Sequence, residues 1–231
     1  LTSDLHAHPT YVAMFIIASI VILLGQSFNE KKYFSPVKSI FIQALFLLVL
    51  ILLVVKISFI TINLILATYI IFLIFNKQLM TAAKGLILLL LIGLAIFQIP
   101  GVKQRLLNDL QPFQNIHLNV SEENKLLERT ALWKASFNDI SKHPISGTSF
   151  RGISSKSSIY KEAKSLYPKL QKEKNCHNNF LECGVRYGIL GIILFSLMTI
   201  FLLITGLKQG SFEIIGIWIL LFLFSLTESF M

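Results

Sequence analysis

The residues best suited to chemistry lie in CHNNFLECGVRYGILGIILF, residues 176–195, where His177 and Asn178 precede Glu182, Arg186 and the glycines Gly184, Gly188 and Gly191. An imidazole titrates near neutral pH and can move a proton, and ionisable groups at the mouth of an apolar segment mark a candidate site because lipid penalises them. Glu182 and Arg186 are four residues apart, a helical spacing that also allows a plain neutralising pair. Upstream, Arg129 follows Leu126 by three residues and precedes Trp133 by four. Its plain reading is a surface charge, and its chemical reading is an anion ligand, since a guanidinium stays charged and grips phosphate bidentately. Between these stretches runs PISGTSFRG, residues 144–152. Gly147 and Gly152 permit a tight turn there, whose amides together with Arg151 suit an anion. Cys176 adjoins His177, but neighbours in a chain rarely present their side chains to each other, so a thiol nucleophile is not favoured.

The rest of the chain must position these groups, and its composition says where. The 231 residues are 54% apolar and 14% charged, with a mean hydropathy of +0.69. This excludes disorder and argues against a soluble enzyme. A hydrocarbon core of about 30 Å takes about 20 helical residues to cross, and six long runs are apolar enough to be candidates: 11–25, 37–55, 57–75, 79–99, 183–206 and 211–228. The expected fold is therefore all-α, a polytopic transmembrane helix bundle of about six spans in this fragment with a long helical extracytoplasmic loop. Residues 1–99 form a four-helix membrane part, 100–177 the loop and 178–231 a two-helix membrane part. The second and third runs, parted by little more than Lys56, read as a tight helical hairpin. Lys31, Lys32, Lys38, Lys77, Lys84 and Lys208 fall on one side of this arrangement, the cytoplasmic side by the positive-inside rule. The loop then faces out. The chain lacks an initiator Met and stops at the edge of a span, which predicts a fragment of a larger polytopic protein.

The formal charge of +9 would by itself suggest nucleic acid. However, 13 of the 21 Lys and Arg lie between residues 100 and 176, against 7 Asp and Glu, so the cationic character is local to the outer loop and no nucleic-acid partner is expected. Within the loop, Ser121 followed by Glu122 and Glu123 is a helix start, and Leu126, Trp133, Phe137 and Ile140 form an apolar stripe on a helix that ends at His143 before Pro144. A second helix, 157–174, presents lysines suited to anionic lipid headgroups. Cys176 and Cys183 on one helix would stand about 10 Å apart, beyond disulfide reach.

ERTALW (128–133), HPISGTSF (143–150) and HNNFLECGVRYGILG (177–191), with HAHPTYVA (6–13) and SLTESFM (225–231) at the ends, resemble the O-antigen ligase and O-antigen polymerase superfamily. The resemblance implies an integral inner-membrane glycosyltransferase, periplasmic in its active face, that moves a glycan from an undecaprenyl-pyrophosphate carrier to lipid A–core or, in the polymerase alternative, to another glycan. It implies no metal and no other cofactor. Carried over, the family's loop arginine maps to Arg129, its loop histidine to His177, its turn glycine to Gly147 and its acidic residue to Glu182. Where other members have an arginine near the first span, this chain has His6, His8 and Tyr11.

Such a reaction must neutralise charge growing on the leaving pyrophosphate and remove a proton from the acceptor hydroxyl. Arg129, then Arg151, suit the first need, with Lys156 or Arg186 as helpers. His177 suits the second as general base, with Asn178 or Glu182 orienting its ring. His6, His8, His117 and His143 have no comparable context. A third reading, a non-enzymatic polysaccharide or lipid transporter subunit, calls for ionisable groups or helix breaks in mid-span. Here the polar residues gather at one outer face, and Asn63 is the main mid-span exception.

Overall fold

The computed structural model describes residues 9–28, 34–53, 56–83, 120–148, 154–170 and 176–227. Among them every regular element is an α-helix: α1 (Pro9–Gly25), α2 (Pro36–Leu53), α3 (Lys56–Phe75), α4 (Val120–Lys142), α5 (Ser154–Leu166), α6 (Asn179–Gln209) and α7 (Phe212–Thr227). The all-α expectation holds. Two helices, Ile57–Phe75 within α3 and all of α6, are long and apolar enough to cross a membrane, whereas Pro9–Gly25, Val37–Leu50 and Phe212–Thr227 are apolar but shorter. The fourth expected span lies mostly outside the described residues, as do His6, His8, His117 and Arg151.

The chain divides into two compact units. The first comprises Leu1–Asn108 with Leu202–Leu223. In it α1 packs on α2 and α3, burying Ala13, Ile17 and Val21, while α2 leaves Val37, Ile40, Phe41, Leu45 and Leu48 exposed, as a lipid-facing surface would. Phe212, 1% exposed, sits among the rings of Phe28, Tyr69 and Phe72 at centroid distances of 5.4–5.8 Å. It is placed there by a tight connection. Gly210 at φ 58 ends α6, the Ser211 amide turns back to Gly206 O at 3.0 Å, and Ser211 Oγ caps α7 by accepting from Ile214 N at 3.4 Å.

The second unit comprises Asp109–Phe201 with Phe224–Met231. Here α4 packs on α5 around Leu132, Ala135, Ile140, Ile159 and Ala163, joined by Leu181 and Val185 of α6. The bounds of α4 agree with the capping and proline signals. Helix α5 ends at Leu166 instead of running to 174, because Pro168 disfavours the helical conformation at the residue before it. The apolar stripe differs as well. Phe137 is 56% exposed, and the buried face of α4 runs through Ala131, Leu132, Ala135, Ser136, Asp139 and Ile140. Small residues on that face allow close approach of α6: a Cβ on Gly184 would stand 2.6 Å from Ile140 Cδ1.

Helix α6 is broken at Gly188, whose φ of 67 and ψ of −159 are not helical. Residues 179–187 and the segment after the break fold against each other, since a Cβ on Gly184 would lie 2.9 Å from Ile192 Cδ1 and one on Gly191 would meet Cys183 O. The continuous apolar helix therefore starts after Gly188 and not at Cys183. Residues 189–209, at about 1.5 Å per residue, still suffice for a core of roughly 30 Å. A hydropathy run cannot register a single glycine with positive φ, which is why the two segments read as one.

Candidate functional site

The HPISGT turn is spliced into the break of α6. In an unbroken helix Ile189 N would donate to Val185 O. Here Ile189 N donates to Pro144 O at 2.7 Å, and Val185 O accepts from Thr148 N at 2.7 Å. The turn thus satisfies both groups that the break would orphan, as buried backbone requires. Thr148 Oγ1 lies 3.0 Å from the same carbonyl and 2.9 Å from Asp139 Oδ2, so the hydroxyl ties the turn to α4 through a carboxylate that is only 7% exposed. Gly147, at φ 60, lies flat on the Arg186–Tyr187 peptide, where a Cβ would stand 2.5 Å from Arg186 C. Its amide donates to His143 O at 3.0 Å. This close approach and the positive φ both require a glycine here. The sequence reading missed Asp139 and Thr148, whose only signal was a lone acid on an otherwise apolar face.

A second junction joins α4 to the chain before α6. Trp133 Nε1 donates to Cys176 O at 2.8 Å. Ser136 Oγ donates to Leu132 O at 2.7 Å and lies 2.9 Å from Cys176 Sγ. Arg129, Trp133 and Ser136 follow at spacings of four and three and share one face of α4. Arg129 is exposed, one turn before Trp133. Its face is therefore the one against which Cys176 is held, and the next residue is His177, partly buried and at φ 50. Left-handed backbone is uncommon away from glycine and costs about 1–2 kcal/mol. Asn178 follows as the N-cap of α6, its Oδ1 accepting from Phe180 N at 2.9 Å and Leu181 N at 3.2 Å. Asn179 Nδ2, buried, donates to Ser225 Oγ of α7 at 3.3 Å.

Glu182 and Arg186 form the pair that their spacing allows: Arg186 Nε stands 3.1 Å from Glu182 Oε1, with the carboxylate 5% and the guanidinium 28% exposed. Removing the cation strands the buried acid. Arg186→Ala is expected to destabilise the protein by about 2 kcal/mol, below the roughly 3–5 typical of fully buried pairs because the guanidinium reaches solvent. Adding Glu182→Gln to it should recover part of that loss in a thermal unfolding measurement in detergent.

Burial pushes the Cys176 thiol up to about 11, with the nearby Glu182 carboxylate acting in the same direction and the Ser136 hydroxyl against it. The thiolate is the reactive form, so Cys176 is expected to resist iodoacetamide at pH 8 in native membranes and to label after denaturation, as mass spectrometry would read. Among the described residues no group of three or more His, Cys, Asp and Glu is placed to hold a metal ion.

The structure thus brings His177, Asn178, Glu182, Arg186 and Gly147 together around the head of α6, with Arg129 on the helix face that clamps this segment. The family model of the O-antigen ligase, Wzy_C, matches residues 41–196, about two thirds of the chain. The chain belongs to the O-antigen ligase family. No curated protein and no solved structure matches it. The family match contains the whole of α4, the spliced turn and the broken start of α6, so the elements that frame this site lie within it.

Proposed function

We propose that the protein is a membrane glycosyltransferase that moves a glycan from an undecaprenyl-pyrophosphate donor to lipid A–core, at the periplasmic face of the bacterial inner membrane. Residues 100–177 serve as the periplasmic loop between the two membrane parts, 1–99 and 178–231. The observation that carries the reading is the Trp133 to Cys176 hydrogen bond, which sets the arginine-bearing face of α4 against the peptide preceding His177.

In this reaction the anomeric C–O bond to the pyrophosphate breaks and its electron pair leaves with the phosphate oxygen. The acceptor hydroxyl forms the new C–O bond and gives up its proton. Arg129 holds the charge that develops on the leaving group, because a guanidinium stays cationic and is pre-shaped for phosphate. Arg151 assists it. His177 accepts the acceptor's proton as neutral imidazole. Asn178 and Glu182 act behind His177, the one by capping α6 and the other by holding Arg186, so both position the head of the helix. The carrier's lipid tail and the surrounding membrane lipid approach along the exposed apolar surface of α6, where Leu194, Leu197 and Phe201 face outward.

Surface-glycan analysis of a deletion strain tests the acceptor. Polymer accumulating unlinked on the lipid carrier is the expected result. A single repeat unit attached to the acceptor would instead assign the polymerase reaction, and unchanged linkage with lost export would assign a transporter.

A further inference from the structure

We infer that Trp133 is a positioning residue for transfer, setting the backbone of His177 through the carbonyl of Cys176. The inference rests on the proposed role of His177 and extends it to a residue with no chemistry of its own.

A non-glycine residue at φ 50 persists only where its surroundings over-determine it, and such residues gather at sites where a side chain must be aimed. At His177 the constraints can be named on both sides. On the C-terminal side, Asn178 is fixed as the cap of α6 by two amide hydrogen bonds. On the N-terminal side, the peptide linking Cys176 to His177 is fixed by the indole, 2.8 Å from Cys176 O. The Ser136 hydroxyl fixes the same residue from its other end, 2.9 Å from a thiol that is 4% exposed. A cap alone leaves the peptide before His177 free to rotate, and that rotation is coupled to φ of His177. The indole removes this freedom.

The same helix carries Arg129 one turn before Trp133. The hydrogen bond therefore sets the register between the group proposed to take the proton and the group proposed to bind the pyrophosphate. Misplacement by about 1 Å at such a distance from the chemistry can cost on the order of 100-fold in rate. A phenylalanine would keep an aromatic ring at this position while losing the N–H donor and part of the indole's volume.

The test uses the full-length protein in membranes, with transfer followed at saturating and limiting donor for wild type, Trp133→Phe, His177→Ala and the double variant. Trp133→Phe should lower kcat by about 10-fold or more with KM for the donor and the membrane level little changed. In the His177→Ala background the same substitution should have almost no further effect, because its consequence runs through the imidazole. Equal loss from Trp133→Phe with and without His177, a loss confined to KM, or normal kcat would each overturn the inference while leaving the role of His177 intact. Normal transfer by His177→Ala would instead overturn the reading on which it rests.

Discussion

Replacing His177 with alanine should lower glycan transfer by about 100- to 10,000-fold, the range that a positioned general base supplies, while the protein reaches the membrane at its normal level. The stability change should be small beside the loss of transfer. His177 holds a left-handed conformation at φ 50 that costs any non-glycine residue about 1–2 kcal/mol, and alanine neither adds to that cost nor disturbs the cap made by Asn178. A glycine at the same position would relieve the backbone but should be equally inactive. Complementation of a deletion strain, read by surface-glycan analysis and by membrane blotting in parallel, separates lost chemistry from lost protein.

The second large effect is expected at Gly188. Its φ of 67 already penalises a side chain, and an added Cβ would meet Pro144 O and come within 2.7 Å of Ile145 O. These are backbone atoms of the turn that replaces the missing helical hydrogen bond, so they cannot give way without undoing it. Adding the conformational cost to that of overpacking, Gly188→Ala should destabilise the protein by about 2–5 kcal/mol and abolish transfer. Gly210 supplies the control. It has nearly the same φ, 58, but nothing within 4 Å of its added Cβ, so Gly210→Ala should cost only about 1–2 kcal/mol and retain activity. Thermal unfolding of both variants in detergent distinguishes docking of the turn from backbone strain alone.

Gly188 also shows what hydropathy cannot carry. The apolar run from Cys183 reads as one span, and periodicity cannot register that a glycine in its first third turns the backbone and that Pro144 and Thr148, some forty residues upstream, satisfy the groups left open. The start of α4 was legible to within a residue from the Ser121–Glu122–Glu123 run, and its end from Pro144, because both signals are local in sequence. Its buried face was not. Phe137 is a larger hydrophobe than Ala135 or Ser136, yet closeness to α6 selects the small side chains and leaves the ring outside. The Glu182–Arg186 pair followed from spacing alone. Gly147 was legible as a turn glycine, but its contact with the Arg186–Tyr187 peptide is tertiary and no local pattern carries it. The spacing places Trp133 on the apolar stripe, and the structure adds a directed hydrogen bond from its ring edge.

The most direct measurement is transfer by the purified full-length protein in liposomes, given an undecaprenyl-pyrophosphate-linked glycan and lipid A–core. Wild type should yield glycosylated lipid A–core together with released undecaprenyl pyrophosphate in equal amounts, and Arg129→Ala and His177→Ala should each yield neither above background. Near-normal product from both variants would contradict the account.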